Sequence, residues 1–214
     1  RIVMVQPRRN SLSRTIDDAG AFEKTIAANI DQMLIVAACA NPEPRHGFID
    51  RCLAVAYDQG ISPIIVMTKR DLADPSEFLQ SYDALEVKSF SVQRDGDLSA
   101  LQSILFGKDS VLIGHSGVGK STLVNALTGI NVRATGDVND ATGRGRHTSS
   151  SAIALDIPND SGTIVDTPGV RSFGLEHIDR SRVISSFSEL AGAISNCPKN
   201  CSHDEEKCGL NDYV

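Results

Sequence analysis

The stretch SVLIGHSGVGKSTLVNALTG (110–129) constrains the fold more than any other in the chain. It sets an apolar strand, a glycine-rich turn of the form G-x-x-x-x-G-K-[ST], and a helix in immediate succession. The glycines let the backbone curl so that successive N–H groups point at a bound phosphate. The helix N-terminus adds its partial positive charge. The rest of the chain alternates in the same manner. Apolar or alternating runs at 32–38, 63–68, 85–92, 110–114, 151–157 and 162–166 read as strands. Helical spacing or capping marks 48–60, 75–83, 97–107, 119–129 and 179–194. Strands alternating with helices predict an α/β domain, with a mostly parallel sheet and helices on both faces. Ligands of such sheets bind at the carboxyl ends of the strands, where every motif described below falls.

Within the phosphate loop, Gly114, His115, Ser116, Gly117, Val118, Gly119, Lys120, Ser121 and Thr122 are the expected phosphate-contacting residues. Lys120 would neutralise the β and γ phosphates, and the Ser121 hydroxyl would be a magnesium ligand. Asp166-Thr167-Pro168-Gly169 follows the strand GTIVD and supplies D-x-x-G. There Asp166 would hold magnesium through water, and the Gly169 N–H would meet the γ-phosphate. The tetrapeptide Thr68-Lys69-Arg70-Asp71 has the form of a guanine reader. Its aspartate can accept from both N1–H and the exocyclic N2–H₂, a pair that adenine lacks. The Lys69 stem can lie over the base with its ammonium bracing the phosphate loop. Thr68 stands where asparagine is commoner, and its contact to N7 is weakened or lost. Ser91 and Val92, after the next strand, occupy the place of the loop whose backbone reads the guanine O6.

The order of these motifs is base reader, base loop, phosphate loop, then DTPG. A GTP-binding domain usually begins with the phosphate loop, so the chain reads as a circular permutation, which nearby surface termini tolerate. Helix 97–107 and the linker GKD would join the usual C-terminus to the usual first strand.

Together with PRRNSLSR (7–14), ANIDQMLIV (28–36), IDRCLAVA (49–56), GRGRHTS (143–149), DTPGVRSFGL (166–175) and a terminal Cys/His cluster, these motifs resemble one family. It is that of the circularly permuted, ribosome-small-subunit-dependent GTPase A (RsgA, also called YjeQ or YloQ). The resemblance covers nearly the whole chain. It implies an N-terminal oligonucleotide-binding barrel, this GTPase domain, a C-terminal zinc module, and action late in maturation of the small ribosomal subunit. The chain opens on RIVMVQPRRN without an initiator methionine and inside an alternating apolar stretch. It is therefore expected to be a fragment that lacks the barrel. Residues 1–18 would be the barrel's exit strand and linker, 19–178 the permuted domain, and 179–214 a zinc module that is itself truncated.

Val170 stands where many GTPases carry a water-orienting glutamine, and a valine cannot polarise water. His147, in the glycine-rich segment GRGRHTS, is the expected replacement, with Thr148 or Ser149 capping magnesium when GTP is bound. Gly143 and Gly145 loosen that segment, so unstimulated hydrolysis should be slow. Cys197, Cys201, His203 and Cys208 supply three thiolates and an imidazole, the donor set of a closed structural zinc site. Cys39 and Cys52 sit in apolar surroundings and read as core fillers.

A net charge of −6 does not favour nucleic-acid binding by the bulk surface. Basic clusters are local, at Arg8, Arg9 and Arg14 and at Arg144, Arg146 and His147. No apolar run approaches the roughly 20 residues that span a bilayer, and no signal-peptide pattern is present in the chain as it stands. The expectation is a cytoplasmic, monomeric GTPase with GTP or GDP, magnesium and one structural zinc. Its partners would be the small subunit and its rRNA, without a membrane. The alternative is a GDP/GTP-dependent RNA- or protein-binding module with negligible hydrolysis.

Overall fold

The two apolar runs at 32–38 and 63–68 lack a polar face because helices cover both of their sides. A computed structural model describes residues 4, 6–16, 22–130, 152–158, 161–167, 188–199, 201, 205 and 207–211. In chain order the first elements are β1 (Ser11–Ile16), β2 (Phe22–Ala28), β3 (Gln32–Ala38), α1 (His46–Asp58), β4 (Ser62–Thr68) and α2 (Ser76–Gln80). After a 3₁₀ turn at Asp83–Leu85 come β5 (Lys88–Ser91), α3 (Ser99–Leu105), β6 (Lys108–Ile113), α4 (Lys120–Thr128), β7 (Ile153–Asp156), β8 (Gly162–Asp166) and α5 (Ser188–Ile194).

Six strands form one sheet in the order β5-β4-β3-β6-β8-β7. Every pairing is parallel except that of β7 with β8. Alternate residues of β3 serve opposite faces. Met33 and Ile35 join a core with Ile49, Cys52, Leu53 and Val55 of α1. Leu34 and Val36 pack instead with Leu101 and Leu105 of α3 and Leu123, Val124 and Leu127 of α4. Each full side-chain burial of this kind contributes roughly 1.5–3 kcal/mol. The antiparallel edge strand β7 alternates in exposure, as its sequence predicts. Cys39 and Cys52 are buried and unpaired with other cysteines, and burial pushes both thiols up from their usual range. Among the described residues, no helix is long and apolar enough to cross a membrane.

Local chemistry trims the predicted elements. The strand expected over 85–92 begins only at Lys88, because Glu86 closes the 3₁₀ turn in a left-handed conformation (φ 51°). The helix expected over 97–107 starts at Ser99, whose N–H and hydroxyl both donate to the Asp97 carboxylate at 2.9 Å. Its end precedes Gly107 (φ 65°). Residues 179–187 of the predicted final helix lie outside the described residues.

The antiparallel pairing of β1 with β2 was not legible in the sequence, and it joins strands that lie on opposite sides of position 18 in the chain. Its root is stitched to the amino ends of the parallel strands. Asn10 exchanges two hydrogen bonds of 2.8 Å with the Ile30 backbone, as a strand partner would. Arg9 donates to the Asp31 carboxylate and to the Asn29 carbonyl, each at 2.8 Å. The second Asp31 oxygen accepts the Asp109 N–H at 3.0 Å, so one carboxylate joins the N-terminal arm, β3 and β6. The Asp109 amide and the Arg9 side chain hold the Asp31 carboxyl below the usual carboxylate range.

Candidate functional site

The phosphate loop leaves β6 at Ile113 and enters α4 at Lys120. Gly114 crosses so close to β3 that a Cβ there would lie 2.4 Å from the Val36 carbonyl oxygen. Gly119 adopts φ 91°, a conformation that other residues rarely take. Lys120 is buried, and its ammonium arches across the loop to the carbonyls of Gly114 (2.5 Å) and His115 (2.9 Å). The His115 ring packs on Phe48 of α1 with centroids 4.2 Å apart. Ser121 and Thr122 are partly exposed in the first turn of α4.

Asp166 ends β8 beside the phosphate-loop strand, in register with Leu112, and is 1% exposed. The next residue, Thr167, donates its hydroxyl proton to the Leu112 carbonyl at 2.6 Å. Parallel pairing of β6 with β8 therefore sets the buried carboxylate next to the start of the phosphate loop.

The base reader leaves β4 one strand beyond β3. The Thr68 hydroxyl lies 2.5 Å from the Val118 carbonyl and 3.2 Å from that of Ala37. A hydroxyl has one proton to donate, and here it ties β4 to the phosphate loop and to β3. Lys69 has φ 56°, and its ammonium donates to the Asn41 carbonyl in the loop after β3. The phosphate-loop brace expected from the sequence is not among the contacts of this ammonium in the described residues. Asp71 is exposed, and its carboxylate makes no ion pair or hydrogen bond among the described residues.

These groups surround one cavity of about 580 Å³. Thr68, Lys69, Asp71 and Leu72 form one wall, and Val92, Gln93, Arg94, Asp95, Gly96 and Leu98 form a second. Gly119, Thr122, Leu123, Asn125 and Ala126 carry the lining along α4 toward the phosphate loop. The Val92 N–H donates to the Met67 carbonyl at 2.8 Å and its carbonyl accepts from Arg70, so the strand pairing runs one residue past Ser91. Gln93, Arg94 and Asn125 escape a motif reading, since only the meeting of the base loop with α4 makes them cavity walls. His115, Ser116 and Val118 line a smaller neighbouring cavity of about 290 Å³ with Pro42, Arg45 and Phe48. His147, Thr148, Ser149, Gly169 and Val170 lie outside the described residues.

At the chain's end the sulfurs of Cys197, Cys201 and Cys208 all lie within 4.8 Å of one another. The sulfurs of Cys197 and Cys208 are 3.9 Å apart. A tetrahedral zinc with bonds of 2.3 Å needs sulfurs roughly 3.8 Å apart, so the thiols suit that ion. Gly209 allows this knuckle to press on α5, since a Cβ there would lie 2.3 Å from the Ala193 carbonyl. His203 lies outside the described residues.

Comparison with known proteins gives one consistent answer. The model of the RsgA GTPase family matches residues 5–176. The small ribosomal subunit biogenesis GTPase RsgA of Pseudomonas aeruginosa is 39% identical over 220 residues, covering 98% of this chain and 63% of the relative. Its namesake from Hahella chejuensis is 37% identical over 219 residues, covering 98% and 62%. The chain thus spans less than two thirds of the length of these curated relatives. Among solved structures, YjeQ from Thermotoga maritima superposes with a TM-score of 0.69 at 26% identity, over 99% of this chain and 70% of the other. YloQ, described as a circularly permuted GTPase, shares the fold with a TM-score of 0.64 at 22% identity, over 100% and 76%.

Proposed function

The chain belongs to the RsgA GTPase family, and from that premise we propose that it hydrolyses GTP to GDP and phosphate during late maturation of the small ribosomal subunit, which stimulates turnover. One observation carries the reading. A single cavity has an unengaged Asp71 carboxylate at one wall and the amino end of the phosphate-loop helix at another. Guanine would place N1–H and N2–H₂ against Asp71, and its phosphates would reach Gly114–Ser121.

The backbone N–H groups of the loop and the Lys120 ammonium bind and orient the β and γ phosphates. Ser121 and Asp166, with Thr148 or Ser149, would hold magnesium, which when bound offsets the phosphate charge. His147 orients the attacking water in the role that Val170 cannot fill, and the Gly169 N–H meets the γ-phosphate. Cys197, Cys201, Cys208 and His203 would hold one zinc, a closed donor set that supports structure and leaves no position for substrate. Residues 1–18, 19–178 and 179–214 act as linker, nucleotide domain and zinc module of a cytoplasmic monomer whose macromolecular partner is the subunit and its rRNA.

Phosphate release measured with and without purified small subunits tests the proposal. Stimulated release from GTP and none from ATP is expected, and His147→Ala should abolish the stimulation while sparing GDP affinity. Guanine-nucleotide binding without any turnover would point instead to a nucleotide-dependent RNA- or protein-binding module.

A further inference from the structure

Guanine offers two edges to a protein. One carries the N1–H and N2–H₂ donors that suit Asp71, and the other carries two acceptors, O6 and N7, which require donors. Three nearby donors on the cavity walls are already engaged. The Thr68 hydroxyl is directed at the Val118 and Ala37 carbonyls. The Val92 N–H is held by the Met67 carbonyl. The Lys69 ammonium is drawn to the Asn41 carbonyl.

Arg94 is placed differently. It lines the same cavity as Asp71, two residues past Val92, and is exposed. Its guanidinium makes no ion pair or hydrogen bond among the described residues, although Asp71 and Asp95 line the cavity with it. A planar guanidinium fork matches the spacing of guanine O6 and N7, whereas a hydroxyl could serve only one of them.

We propose that Arg94 is a specificity-determining residue that donates to the O6/N7 edge of guanine, supplying the contact that Thr68 gives up. The inference rests on the guanine-nucleotide reading above. It is tested by comparing GDP with 7-deaza-GDP, which replaces N7 by a carbon and keeps O6, N1–H, N2–H₂ and both phosphates. The chain should bind GDP roughly tenfold more tightly than the deaza analogue. Arg94→Ala should bind the two equally, and more weakly than the unsubstituted chain binds the analogue because the O6 contact is lost as well, with an unchanged melting temperature. Arg94→Lys should retain only part of the preference. Equal binding of the two ligands by the unsubstituted chain overturns the proposal, as does a preference that survives in Arg94→Ala. Weakening of both ligands by the same factor, with the preference for GDP intact, would show that Arg94 does not read N7 and also overturn it. Absence of GDP binding altogether would overturn the guanine-nucleotide reading and this inference with it, an outcome distinct from GDP binding without discrimination.

Discussion

At the phosphate loop the recognition groups are tied into the sheet, whereas on the walls of the base cavity they stand in solvent. Lys120 and Asp166 are 7% and 1% exposed, and Gly114 is packed against the β3 backbone. Asp71, Gln93 and Arg94 are exposed residues on loops. The contrast follows from what each wall must do. Phosphate is bound by backbone N–H groups, whose positions are useful only if the loop is held rigid. A base is distinguished by side chains that a ligand covers, and water satisfies them until it does. Discrimination then comes from removing that water, because a wrong base leaves a covered carboxylate without its donors.

Breaking the rigid wall should have the largest effect. Gly114→Ala places a carbon where the Val36 carbonyl already sits, and Val36 is paired within the central sheet. A loss of about 3 kcal/mol in stability is expected by chemical denaturation, with loss of GDP binding. On the adaptable wall, Asp71→Asn should weaken GDP by about 2 kcal/mol, ~30-fold, in a direct binding titration. Because that residue is exposed, the melting temperature of the nucleotide-free protein should stay unchanged. These two substitutions would show affinity lost with stability on one wall and without it on the other.

Thr68 sits where the walls meet. Thr68→Val keeps the shape and removes the proton shared with the Val118 and Ala37 carbonyls. About 1 kcal/mol of stability should be lost, readable as a shift in denaturation midpoint. A loss of GDP affinity larger than the loss of stability would place Thr68 functionally on the base wall. The smallest effect is expected furthest from the cavity, at Asp31. Its carboxyl is depressed in the folded protein, so its contribution is present above the unfolded value near ~3.9 and is lost as pH falls through the folded value. Asp31→Asn should cost less than about 1 kcal/mol at pH 7, since solvent screens the pair with Arg9. Thermal melts of the two proteins should converge as the pH falls below about 4.

Much of this site is legible in the sequence because its rules are local. G-x-x-x-x-G-K-S between a strand and a helix fixes the phosphate loop, and GTIVD followed by TPG fixes the neighbouring strand end. TKRD ahead of both reveals the permuted order, which the fold comparison bears out. The hairpin β1–β2 was not legible, since Phe22–Ala28 gains a partner only when Ser11–Ile16 folds back on it. The route of Lys69 to Asn41 and the capture of the Val92 amide by Met67 were equally hidden. Each joins segments distant in the chain, which no single segment encodes.

By itself the sequence determined the element types of the large sheet and its helices, the order of the nucleotide motifs and the cysteines of the tail, because periodicity and side-chain chemistry are properties of short segments. Tertiary structure alone decided which donors are engaged. It turned the Thr68 proton inward to the phosphate loop, drew three thiols within 4.8 Å of one another, and set Arg94 on the same cavity as Asp71. Those outcomes follow from parallel pairing, which brings loops distant in the chain to one edge of the sheet, where each polar group bonds to whatever neighbour the register supplies.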